Sequence, residues 1–200
     1  MPSQSPTRLR IGLIWAVLAI CVLVPTWFAA LSPLLAWRDP IYIFAGFAGI
    51  IAMSLLLVQP LLAGRYLPGL NTRQSRRLHR LLGVGLVLLV AIHVVGLWIT
   101  SPLDVVDALL FVSPTPFSVW GVIGMWAIFA SALAVLLRPR LRLAPVTWRR
   151  VHTGFAVVIV TSTAIHAIQI VGTMEPVSKG VLSGLIVGVT VWVVLGRTKR

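Results

Sequence analysis

The chain has 200 residues, 58% of them hydrophobic and 10% charged, with a mean hydropathy of +1.00. Soluble domains carry roughly a quarter charged residues, so a water-soluble fold is disfavoured, and apolar stretches leave no room for a second soluble domain of ordinary size. The formal net charge of +13 would suggest nucleic acid in a soluble protein; here the basic residues sit in short clusters between apolar spans, so no nucleic-acid partner is expected and the lipid bilayer is.

Apolar runs of about twenty residues, the length that crosses a membrane as an α-helix, occur six times. In chain order they are Ile11–Leu31, Ile41–Ala63, Leu81–Thr100, Phe117–Leu137, Val151–Gly172 and Gly180–Gly196. The fold class expected is therefore all-α, a polytopic six-helix transmembrane bundle. Ser32-Pro33, Leu67-Pro68-Gly69, Ser113-Pro114-Thr115-Pro116 and Arg138-Pro139 punctuate the linkers. The first span follows Arg8 and Arg10, but its apolar run is long for a signal peptide and the cleavage signal is poor, so a retained helix is favoured. Cys21 lies inside that span, where a small packing residue is the expected role. No tandem repeat stands out beyond a local echo between the third and fifth spans.

Charge orients the bundle. Arg8 and Arg10, the group Arg65, Arg73, Arg76, Arg77 and Arg80, the group Arg138, Arg140, Arg142, Arg149 and Arg150, and the closing Arg197, Lys199 and Arg200 all fall on one side if the chain weaves six times. The other side holds only Arg38 and Lys179, together with all four acids, Asp39, Asp104, Asp107 and Glu175. Lys and Arg accumulate in cytoplasmic loops, so both termini are expected in the cytoplasm. The same rule accounts for the arginine clusters without a docking role. Trp37, Trp98 and Trp148 sit near span ends, where interfacial anchoring is expected, and the outer acids read as solvated loops.

The four histidines fall on two spans, His79 and His93 with the third, His152 and His166 with the fifth. Each pair is separated by fourteen residues, nearly four helical turns, so both members share a face and lie about 21 Å apart along the axis. The two spans run in the same direction. His79 and His152 therefore share a level near the arginine-rich side, and His93 and His166 share one towards the far side. Facing helices would offer two imidazoles at each level, the requirement for a bis-histidine haem held edge-on between helices. With both axial positions occupied, such a haem suits electron transfer rather than bond-making.

The stripes between the histidines, Gly83, Leu86 and Val90 on one span and Ala156, Ile159 and Thr163 on the other, give flat clearance for a ring, with Leu86 and Ile159 at the midpoint. A zinc or copper cage is disfavoured by the axial separation and by the lack of an accompanying thiol or carboxylate. Each ligating imidazole needs a partner for its second nitrogen, for which the carbonyl one turn back and Ser162, near His166, are the candidates. Arg77, Arg80 and Arg150 are candidate partners for haem propionates at the inner level, since guanidinium pairs well with carboxylate. A haem-free transporter that titrates the histidines in a proton path is the alternative; it leaves the matched spacing unexplained.

The run Arg76-Arg77-Leu78-His79-Arg80-Leu81-Leu82-Gly83 with His93, and the later Trp148-Arg149-Arg150-Val151-His152 with His166, resembles the ferric reductase-like transmembrane domain of ferric reductases and NADPH oxidases. The resemblance covers spans two to six. It implies a six-helix core with two b-type haems held by residues matching His79, His152, His93 and His166, and electron flow from the cytoplasmic face outward. No Gly-rich dinucleotide fingerprint follows a strand. One domain over residues 1–200 is therefore expected, similar in size to the haem-binding membrane subunit of the bacterial methionine sulfoxide reductase system. FAD or FMN would enter only through a cytoplasmic flavoprotein or other donor, quinone is a further candidate, and the acceptor lies on the outer side. The expected location is the bacterial inner membrane.

Overall fold

The structure is a computed structural model describing residues 8–198. Lys199 and Arg200, part of the expected cytoplasmic cluster, lie outside the described residues, as does the side chain of Arg197. Among the described residues every regular element is helical: α1 (Arg8–Ala30), a short 3₁₀ turn at Pro33–Leu35, α2 (Pro40–Gly64), α3 (Thr72–Thr100), α4 (Pro102–Leu109), α5 (Pro116–Leu141), α6 (Pro145–Gln169) and α7 (Pro176–Thr198). All except α4 are long and apolar enough to cross a membrane, which makes six spans. The protein is an integral membrane protein. Large apolar side chains such as Leu13, Trp27, Leu88, Leu136 and Trp192 stand exposed on its helices, where acyl chains take the place of water.

Local sequence decides where the spans begin. Asn71 and Gln74 form a reciprocal capping box that starts α3 at Thr72, nine residues before the apolar run, so His79 is helical. Proline at the first position opens α2, α4, α5, α6 and α7, where its missing N–H is harmless. Arg65 and Arg142, both left-handed, close α2 and α5. The stop expected at Arg138-Pro139 does not occur, because α5 continues to Leu141. Proline forfeits the bond its N–H would give Val135, but only two more residues continue the helix beyond it. The outer linker also contains an element the sequence reading missed. Eight residues, Pro102–Leu109, form α4, too short to span, with Val105 buried and Asp104 exposed.

The helices pack as two tight hairpins, α2 on α3 and α5 on α6. α7 wedges between α6 and α2 through the buried Leu182 and Ile186, and α1 lies outermost against α2 and α7. A close crossing fixes the first hairpin. A Cβ on Gly96 would stand 2.7 Å from that of Ala45, so only glycine lets the backbones approach there. α3 and α6 are each packed on a hairpin partner, and both line a common cavity. Leu86 and Ile159, the expected midpoint residues, are buried in the shared core.

Two hairpins carry paired histidines at two depths

The histidines pair by level, one pair in ring contact and the other lining a common cavity. At the arginine-rich, inner end the rings of His79 and His152 stand edge-on with centroids 6.1 Å apart and planes at 78°. At the opposite, outer end, His93 and His166 line one cavity of about 460 Å³, within the range of about 300–1,000 Å³ usual for bound prosthetic groups and ligands. Its walls come from the outer ends of α2, α3, α5 and α6, from α4 and from the α6–α7 link.

Each ring is oriented through Nδ1. His93 Nδ1 lies 2.8 Å from the Ala45 carbonyl oxygen and His166 Nδ1 2.8 Å from that of Phe117. His79 Nδ1 lies 3.3 Å from the Gln59 carbonyl oxygen, and His152 Nδ1 is 3.3 Å from the Ser131 hydroxyl. A carbonyl only accepts, so three of the rings carry their proton on Nδ1, and the donor lone pair is on Nε2. This is how ligating histidines are held elsewhere, by a second hydrogen bond that fixes tautomer and ring angle. The partners differ from those expected. They come from the neighbouring helix of each hairpin, not from one turn back on the same helix, because the side chain leans towards its packed neighbour. Ser162 is not among them; its hydroxyl donates to the Val158 carbonyl at 2.7 Å, the local bond a helical serine readily makes.

The arrangement is a repeat that the sequence reading did not find. Ala45, Gly49 and Gln59 correspond to Phe117, Gly121 and Ser131 at an offset of 72 residues, and His79 and His93 correspond to His152 and His166 at 73. The outer equivalents make the same contacts with their histidines, whereas at the inner level Gln59 offers its backbone carbonyl and Ser131 its hydroxyl. A Cβ on Gly49 would stand 3.0 Å from His93 Nδ1, and one on Gly121 would stand 2.8 Å from His166 Nδ1. Both outer rings therefore rest on a glycine one turn beyond the carbonyl that holds them. The signal was present as Gly49-Ile50-Ile51-Ala52-Met53 against Gly121-Val122-Ile123-Gly124-Met125, on the helices without histidines.

Trp148, expected as an interfacial anchor, is instead buried and stacks on His152 at 5.5 Å and 16°. The Arg138 guanidinium also lies over the Trp148 ring at 4.8 Å, a cation–π contact. Trp37 and Trp98 are exposed, as membrane anchors would be. Arg77, Arg80 and Arg150 all stand exposed at the inner ends of α3 and α6, on the side of the His79/His152 pair.

The donor set fits haem. Imidazole–metal bonds of about 2.0–2.1 Å on opposite sides of one metal put ring centres about 6 Å apart, the separation observed for His79 and His152. Among the described residues no three of His, Cys, Asp and Glu gather as a cage for a bare ion; the nitrogen donors come in twos. Searches of curated proteins and of solved structures return no match. The profile of the family described as ferric reductase like transmembrane component matches residues 48–163, from α2 into α6, including His79, His93 and His152 and ending three residues before His166. With more than half of its length in that match, the chain belongs to the ferric reductase-like transmembrane family.

Proposed function

We propose that the protein carries electrons across the bacterial inner membrane through two b-type haems, one held by His79 and His152 and the other by His93 and His166. Electrons pass from a cytoplasmic donor to an acceptor on the outer side. The supporting observation is that all four rings direct Nδ1 to a partner on the adjacent helix, with His79 against His152 at one depth and His93 and His166 lining one cavity at the other. Family membership points the same way, since domains of this family generally bind haem and serve transmembrane electron transfer.

When bound, haem would supply a one-electron iron couple, with His79 and His152 holding one group and His93 and His166 the other. The chain's own residues do the rest. The carbonyls of Ala45, Phe117 and Gln59 and the Ser131 hydroxyl hold the ring angles, and Leu86 and Ile159 keep the interval between levels dry. On this reading Arg77, Arg80 and Arg150 stand near the inner carboxylates. The arginine-rich end is cytoplasmic, which places both termini there. The donor is a cytoplasmic flavoprotein carrying FAD or FMN, or another reductant, with quinone a further exchange partner.

The test is a reduced-minus-oxidised spectrum of the purified protein with haem quantitation. About two bis-histidine b-type haems per chain are expected. A haem content near zero in membranes from haem-supplemented cells overturns the proposal.

A further inference from the structure

Lys179 is in the first turn of α7, yet it is only 8% exposed. Two physical terms oppose a cation there, and a single neutral hydrogen bond answers them. Burial removes the hydration of an ammonium, a group rarely buried without a partner. The N-terminus of a helix carries a partial positive charge. The hydrogen bond Nζ makes, 2.6 Å to the Ile170 carbonyl oxygen, engages one of three donors and brings no negative charge.

The acid closest in sequence is Glu175, whose charge also favours the Lys179 ammonium but whose carboxylate oxygens are taken up in capping α7. It accepts from Val177 N at 2.8 Å, from Ser178 N at 2.6 Å and from the Ser178 hydroxyl. Lys179 meanwhile lines the outer cavity, the one that also contains His93 and His166. The other acid on that wall, Asp104, is exposed on α4. A buried ammonium at a helix N-terminus, lining a cavity of prosthetic-group size, is placed to receive an anion from inside that cavity.

We propose that Lys179 binds a carboxylate of the group that fills the outer cavity. This rests on the haem reading, under which the carboxylate is a propionate of the outer haem. The cation then neutralises a charge that would otherwise be buried and fixes the in-plane rotation of the macrocycle, which imidazoles alone leave undetermined.

The experiment compares wild type, Lys179→Met and Lys179→Arg, each reconstituted with protohaem or with its dimethyl ester, in which both propionates are uncharged. His93→Ala identifies the outer spectral component. With protohaem, Lys179→Met is expected to lower the outer midpoint potential and to release the outer haem about tenfold faster or more. The inner component should stay unchanged, and Lys179→Arg should retain most of the wild-type behaviour. With the ester, wild type and Lys179→Met should become alike.

Identical outer potential and retention in wild type and Lys179→Met with protohaem overturns the proposal. A difference that persists with the ester overturns the propionate assignment and points to a separate acid. Should Lys179→Met not fold, the wild-type arms still decide, since outer-haem retention unaffected by esterification also overturns it. A wild-type protein that takes up no haem refutes the functional reading itself, before any variant is compared.

Discussion

Gly121→Ala is the sharpest perturbation available, because it adds one carbon behind one ligating ring. The new Cβ would stand 2.8 Å from His166 Nδ1 and 2.9 Å from Cε1, against an optimal contact of about 3.5–4.0 Å. The ring must retreat by roughly 0.7 Å, and it has little freedom to do so. Its Nδ1 is tied to the Phe117 carbonyl at 2.8 Å, and the Phe117 ring stands edge-on at 5.8 Å. Overpacking of this kind costs about 1–3 kcal/mol, equivalent to roughly a 5- to 150-fold loss in retention of the group His166 ligates. Alanine in place of helical glycine works in the opposite direction, by about 1 kcal/mol, and that gain belongs to the fold as a whole. Gly154→Ala separates the two effects, since a Cβ on Gly154, on α6 with His166, meets nothing within 4 Å.

The assay is haem content and the reduced-minus-oxidised spectrum of each variant, with thermal unfolding alongside. Gly121→Ala should lose the outer component and keep the inner one. Gly49→Ala, whose Cβ falls 3.0 Å from His93 Nδ1, should lose less, and Gly154→Ala should lose nothing. Wild-type haem content in Gly121→Ala, or equal loss of both components without a change in melting, would refute the reasoning.

Two further outcomes follow from single hydrogen bonds. Ser131→Ala removes the hydroxyl partner of His152 and should weaken retention of the inner haem by about 10- to 100-fold while sparing the outer one, measured as haem transfer to an acceptor globin; equal weakening of both counts against it. The Ser178 hydroxyl, with the backbone N–H groups of Ser178 and Val177, holds the Glu175 carboxylate below its ordinary value of 4.5. A depressed folded-state value means that this cap is fully present above the ordinary value and is lost as pH falls through the folded one. Hydrogen exchange in the first turn of α7, corrected for intrinsic rates, should therefore accelerate in acid below that ordinary value, and Glu175→Gln should remove the pH dependence; the same profile in both proteins contradicts the cap.

The sequence alone determined that the chain is a six-span membrane protein, because apolar length and sparse charge leave a backbone in lipid no alternative to helices that satisfy their own hydrogen bonds. It also determined the two histidine levels, since a fourteen-residue spacing on a helix sets face and depth without reference to any neighbour. Tertiary structure decided what stands behind each ring. The carbonyls of Ala45, Gln59 and Phe117, the Ser131 hydroxyl and the glycines at 49 and 121 lie on helices that carry no histidine, twenty or more residues away in the chain. Their roles exist only once the hairpins pack, and a backbone carbonyl leaves no mark in a sequence. Trp148 turned inward and Lys179 buried at a cavity wall belong to the same class, because burial of an amphipathic side chain depends on what the neighbouring helices leave open.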